Sequence, residues 1–195
     1  MRGRNIFVVS LERILRGADV ETLADRARNA GLSAVWIRAG RGEGVDPNMA
    51  PADFARLRDA LRSMSLGVWG WHVPFCADAA AARREAGLVV DWAEKFELDG
   101  MVLDAERTPE NPRFQGGGPE ATLYAGLVAE GLRARGKGVA LSSHDQPPLH
   151  HALPWREFLE HIDDVCPQVY FRSRNVAERF RRSEAGYRTL VPAAD

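Results

Sequence analysis

Asp104 and Glu106 are the residues of this chain best placed by type and spacing to do chemistry. They end the run Leu98-Asp99-Gly100-Met101-Val102-Leu103-Asp104-Ala105-Glu106, which reads as a short buried strand followed by two carboxylates one alanine apart. Alternation along a strand sends Val102, Asp104 and Glu106 to the same side, so one face changes from core to polar within a few residues. Such positions stand roughly 6.5–7 Å apart at Cα. At that spacing one anion raises the pKa of the other and keeps it protonated near neutrality. Glycoside hydrolysis uses such a pair, one acid assisting the leaving oxygen and one carboxylate orienting or stabilising. The same residues also fit a pair of solvated acids at a strand end, or a salt bridge to Arg107.

Further polar residues close other apolar runs: Arg38, His72, Ser142, His144 and Tyr170. Of these, Arg38, His72, His144 and Tyr170 are the candidate substrate-binding residues. His72 ends the third strand and either hydrogen-bonds Asp104, contacts substrate or is a satisfied rim histidine. Drawn together, His72, Asp104, Glu106 and His144 make a nitrogen/oxygen ligand set, but no tight ligand spacing supports it and no metal is assigned. Nothing in the sequence asks for a cofactor. His150 and His151 lie in a proline-flanked loop and read as exposed, whereas His161 reads as structural. Trp69 and Trp71 take the side opposite His72. If His72 points to the mouth, both pack outward against helices, with a sugar platform as the alternative. Cys76 and Cys166 fall at opposite ends of the architecture and are expected to be reduced thiols without a nucleophile's surroundings.

Seven apolar runs, Ile6–Ser10, Ala34–Arg38, Gly67–His72, Gly100–Asp104, Val139–Ser143, Val165–Tyr170 and Thr189–Val191, read as strands. Helical periodicity fills the intervals: Val20–Ala30, Ala52–Met64, Ala79–Phe96 (stripe Leu88, Val89, Trp92, Phe96), Glu120–Arg135 (Leu123, Leu127, Leu132), Trp155–His161 and Val176–Ala185. Strict alternation predicts a parallel sheet with helices outside it. The first strand runs into Ser10-Leu11-Glu12-Arg13 with no phosphate loop, and Gly40-Arg41-Gly42-Glu43-Gly44 reads as a flexible loop. With polar residues gathered after the strand ends, the expected fold is α/β, a TIM-type (β/α) barrel abbreviated or irregular in its last units. Two long polar connections, Arg107–Gly118 and Asp145–Pro154, either shape a groove or wander.

The 195 residues suffice for one domain spanning 1–195, with 45% hydrophobic content and a formal charge of −1 that exerts no pull toward nucleic acid. No stretch approaches a membrane span, and the amino terminus enters a strand without an apolar leader. The expected location is cytoplasmic unless export is independent of a signal.

Three segments, in order, resemble glycoside hydrolase family 25 lysozymes over roughly Ile6 to Glu106. Ala34-Val35-Trp36-Ile37-Arg38-Ala39-Gly40 followed by Gly44-Val45-Asp46 looks like the family's second strand, which leads into a lysine-alanine-threonine-glutamate-glycine loop and an aspartate. Gly70-Trp71-His72-Val73 is similar to its third-strand Gly-x-Tyr-His-Phe pattern, and Leu103-Asp104-Ala105-Glu106 to its Leu-Asp-x-Glu. Asp99-Gly100 through Glu106 also resembles, more weakly, the chitinase-type family 18 signature, with Val102 in place of the middle aspartate. The resemblance implies a glycan partner of the peptidoglycan or chitin type. Glu106 would be the proton donor, with Asp104 orienting the N-acetyl group or stabilising the oxazolinium or oxocarbenium charge. Departures are Val8, where family 25 has an aspartate that Glu12 shares parity with, and a loop after Arg38 lacking the lysine and glutamate. Gln168-Val169-Tyr170 is faintly like a late Gln-Tyr. A non-catalytic glycan-binding or structural barrel, and a metal-dependent hydrolase or isomerase, are the alternatives.

Overall fold

The computed structural model describes residues 3–108, 113–170 and 175–190. Six parallel strands lie side by side in the order β1 (Arg4–Val8), β2 (Leu32–Arg41), β4 (Gly67–Val73), β5 (Gly100–Asp104), β6 (Gly138–His144) and β7 (Asp164–Gln168). A two-residue strand, β3 (Gly44–Val45), folds back antiparallel on the end of β2. The helices are α1 (Leu11–Leu15), α2 (Val20–Asn29), α3 (Pro51–Ser63), α4 (Ala79–Lys95), α5 (Gly118–Arg133), α6 (Trp155–Leu159) and α7 (Val176–Arg188). All seven contribute to one apolar layer against a single face of the sheet, with Ile37, Val68, Met101, Leu103, Val139 and Leu141 as the strands' share. The opposite, concave face carries a smaller cluster whose buried members are all strand residues, centred on Trp36, Trp71 and Val102. Helices on one face only are the arrangement of a barrel wall rather than of a doubly wound sheet.

The wall is a half-barrel. Among the described residues β1 and β7 pair on one side only, so the sheet does not close. The expected strand at Thr189–Val191 is not formed: Thr189 caps the C-terminus of α7, its hydroxyl donating to the Gly186 carbonyl at 2.7 Å, and Leu190 lies in the turn beyond. Val191 falls outside the described residues. β-branched residues invite a strand reading, but here they follow a helix that has only just ended.

Local chemistry fixes the helix starts. Asp19 and Asp78 each accept from a backbone N–H three residues on, at 2.7 Å, and the Glu120 carboxylate accepts from Gly117 N at 2.8 Å. The buried face of α5 is rotated from the expected leucine stripe: Ala121, Tyr124, Ala125, Val128, Ala129 and Leu132 face the core, and Leu123 and Leu127 lie on its flank. Small residues let α5 approach α4 closely; a Cβ on Gly131 would meet Val90 at 2.7 Å.

The glycine segment after β2 is an ordered hairpin, not a flexible loop. Gly42 has φ +51, and a side chain there would run into the Phe75 ring at 2.6 Å. Its N–H donates to the Val73 carbonyl at 2.9 Å. Between Arg38 and Gly40 the β2–β4 register shifts, a bulge that puts Gly40 on the helix side against Trp92 and aligns Arg41 with Val73 on the concave side.

Candidate functional site

Asp104 is the last residue of β5, flanked in register by Ser142 of β6. As alternation requires, Met101, Leu103 and Ala105 enter the helix-side core, while Val102, Asp104 and Glu106 take the concave face. There they open into a cleft of about 890 Å³ whose walls include Phe7, Arg38, Arg41, Trp71, Arg113 and Tyr170. Asp104 is only 6% exposed. Its Oδ1 accepts from Gln168 Nε2 at 2.6 Å, and Gln168 Oε1 accepts from the Tyr170 hydroxyl at 2.9 Å. Glu106 is more open, and Arg113 Nη1 stands 3.0 Å from its Oε2.

Burial, reinforced by the Glu106 charge, pushes the Asp104 carboxyl up to about 7; Arg113, the Gln168 hydrogen bond and Arg41 only partly oppose this. Near neutrality Asp104 is therefore partly protonated, beside a Glu106 that is ion-paired with Arg113. Burial and the two carboxylates also raise the Tyr170 phenol.

Arg113 is held in place from below. Phe114 is buried with its ring 5.1 Å from Phe158, its N–H donates to the Glu106 carbonyl at 2.9 Å, and Arg107 donates to the Gly116 carbonyl at 2.6 Å. The described part of the connection after β5 thus shapes the groove.

Four of the sequence-nominated residues besides the pair were candidates for substrate contact, and the structure brings three of them to the cleft. Arg38 lies over the Trp71 ring at 5.5 Å and is ion-paired with buried Asp46. Tyr170 is 64% exposed at the rim. His144 lines the wall beside Glu106 and stacks on His150 at 3.6 Å, so His150 is less exposed than its loop suggested. Burial and His150 lower the His144 pKa.

His72 is the exception. It points to the helix side, fully buried between Tyr124 and Trp92. Its Nε2 faces the Gly42 carbonyl at 2.9 Å and its Nδ1 the Tyr124 hydroxyl at 2.7 Å. A carbonyl can only accept, so Nε2 carries the hydrogen and Tyr124 donates to Nδ1. It follows that Trp69 and Trp71 face inward: Trp69 covers Gly100 and Gly138 at the base of the concave face, and Trp71 floors the cleft. Burial drops His72 to about 4. A neutral buried histidine binds fewer protons than the unfolded chain, so its contribution is complete above pH 6.5 and is lost as pH falls toward 4, by about 3 kcal/mol. Tyr124→Phe strands Nδ1 in the core and should cost about 1–3 kcal/mol in urea unfolding at pH 7. Its catalytic constants should not change; an altered kcat would place His72 in the chemistry after all.

Val8 also faces the helices, with its carbonyl accepting from Trp71 Nε1 at 3.2 Å. The cleft-facing positions on β1 are Asn5 and Phe7, with Val9 just beyond its end. Glu12 lies on α1, exposed and paired with Arg16. Among the described residues no group of three or more His, Cys, Asp or Glu side chains is arranged to hold a metal ion, and the drawn set is split by the sheet. Cys76 and Cys166 are free thiols. Burial raises the Cys166 thiol to about 11 and Cys76 further still.

Gln168, Arg41 and Arg113 line the cleft and are not among the site residues the sequence singles out. Gln168 had a usable signal, the same one-residue spacing from Tyr170 that joins Asp104 to Glu106. Arg41 reaches the cleft only because of the bulge, and Arg113 lies in a connection without periodicity.

No family model and no curated protein matches the chain. Solved structures do. A GH18 chitinase from Cycas revoluta in complex with (GlcNAc)3 superposes with a TM-score of 0.72 at 11% identity, over 97% of this chain and 65% of that one. A chitinase from Chromobacterium violaceum gives 0.67 at 15%, over 98% and 66%. The modular autolysin LytC from Streptococcus pneumoniae gives 0.56 at 13%, over 84% and 37%. The chain thus spans about two thirds of the chitinases it resembles. At these identities the shared property is the fold, an α/β half-barrel like the wall of a family 18 barrel. That is the weaker of the two resemblances read from the sequence, and family 25 gains no support.

Proposed function

We propose that this protein hydrolyses glycosidic bonds of N-acetylated glycans with retention of configuration, Glu106 donating the proton and Asp104 steering the substrate's own acetamido group. The observation that carries the reading is a buried carboxyl, Asp104, and a more open one, Glu106, set side by side at the end of a central strand, over an aromatic floor. In the first step the acetamido oxygen attacks C1, Glu106 protonates the glycosidic oxygen and the C1–O bond breaks. Asp104, as a carboxylate, accepts the acetamido N–H and balances the oxazolinium charge. Water then opens the ring at C1 and returns its proton to Glu106. In this reading the acid's proton comes from Asp104, whose carboxyl is raised to about 7, and passes to Glu106 when the glycan takes Arg113's place and gives Asp104 an N–H to accept.

Trp71 offers an apolar face to a sugar ring, and Arg38, His144 and Tyr170 offer hydrogen bonds. A second hollow of about 580 Å³ shares Val9 and Arg38 with the cleft, which extends it for more than one sugar.

A series of oligosaccharides differing only at C2 tests participation. Replacing the acetamido group by trifluoroacetamido, a poorer nucleophile, should lower kcat about a hundredfold with little change in KM. Equal rates across the series would rule out substrate assistance. The Arg113–Glu106 ion pair favours a second reading, a glycan-binding wall without turnover. Under that reading the same oligosaccharides bind and none is cleaved.

A further inference from the structure

The cleft places three guanidinium groups around its two carboxylates, and their pairing is unequal. Arg38 is neutralised by Asp46, which is itself buried. Arg113 is taken by Glu106. Arg41 lines the cleft, is exposed, and has no ion-pair partner among the described residues. Its charge reaches Asp104, whose carboxyl burial raises to about 7 and which is already hydrogen-bonded to Gln168, so Arg41 gains only a weak partner there. Among the described residues, the concave face holds one cation without an ion-pair partner and one paired with the carboxylate proposed as the acid. Both are arginines, whose planar fork fits the oxygens of a carboxylate or a phosphate.

We propose that Arg41 and Arg113 select an oxyanion on the glycan, and that the oxyanion's capture of Arg113 releases Glu106 for catalysis. The inference rests on the glycosidase reading and narrows its substrate from N-acetylated glycans in general to those carrying a carboxylate or phosphate group. A neutral glycan reaches Glu106 only by breaking an ion pair with nothing to replace it. An anionic one replaces that pair with another to the same guanidinium and gains Arg41 besides. Arg41 acts on affinity; Arg113 is a positioning residue that governs both affinity and the state of the acid.

Four ligands separate the possibilities: the neutral N-acetylglucosamine tetramer, its O-carboxymethyl derivative, the methyl ester of that derivative, and a 6-O-phosphoryl tetramer. Binding is read by calorimetry, so no turnover is needed. The wild-type protein should hold the carboxymethyl tetramer at least tenfold more tightly than either the neutral tetramer or the ester. The phosphoryl arm shows which oxyanion the cleft prefers. Arg41→Gln and Arg113→Gln should each cut the preference to threefold or less, and Arg41→Lys should keep part of it. Thermal melts confirm that the variants fold. Arg113→Gln should also raise kcat/KM on the neutral tetramer, an effect that loss of a purely structural contact does not produce. Equal binding of charged and neutral tetramers, a preference that survives both substitutions, or binding of none of the four would overturn the proposal. A protein that prefers the anionic tetramer yet cleaves nothing contradicts the hydrolase reading alone. One that cleaves charged and neutral tetramers with equal kcat/KM contradicts the selection alone.

Discussion

Glu106→Gln is expected to lower kcat about a thousandfold on an unactivated glycan, within the usual range for loss of a general acid. The side chain keeps its shape and can still accept from Arg113, so the melting temperature should stay within roughly 2 °C of wild type. The leaving group supplies a sharper discriminator. A dinitrophenyl glycoside departs without a proton, and on that substrate the variant should regain most of its rate in the first step. An equal loss on both substrates would mean that Glu106 does something other than donate a proton.

Asp104→Asn is expected to separate function from stability. The proposal needs an anion at position 104 in the transition state, so kcat should fall about a hundredfold while KM changes little. Stability should move the other way. The folded pKa is raised from 3.8 to about 7. The folded state therefore binds more protons than the unfolded chain between those values, and burial costs nothing below 3.8. The cost grows as pH rises and is complete above 7, about 4 kcal/mol for a shift of roughly three units. Asparagine carries no such cost and still accepts from Gln168. Urea unfolding should show the variant more stable than wild type at pH 8, by up to about 4 kcal/mol, with the difference closing toward pH 4. A difference independent of pH would show that Asp104 is not the buried acid described here. Sites poised for chemistry commonly carry a cost of this kind.

Asp104 and Glu106 could be read from the sequence because the alternation rule needs only one strand. The rule also placed Trp69 and Trp71 opposite His72 correctly. It could not tell which of those sides was the mouth, since that depends on the β4–β5 register, which sets Trp71 beside Val102 and His72 beside Leu103. A histidine at a strand end looks like a site residue until its partners are known, and these lie 30 and 52 residues away, at Gly42 and Tyr124. Arg41 shows a different limit. Uninterrupted alternation from Arg38 sends it to the helices, and a single bulge turns it into the cleft. The half-barrel was legible as alternating strands and helices, but its open edge was not. Thr189 and Leu190 have strand-like composition and take their conformation from the end of α7.

The central claim is that the acetamido group, held by Asp104, attacks C1 while Glu106 gives up a proton. Proton NMR of the reaction in its first minutes, before mutarotation, reads this directly from the new reducing end of a β-linked N-acetylhexosamine oligosaccharide. The account predicts that the β-anomer appears first with wild-type protein and that neither anomer appears with Glu106→Gln. Initial release of the α-anomer would contradict it, because a water attacking from the opposite face leaves the acetamido group and Asp104 without a role.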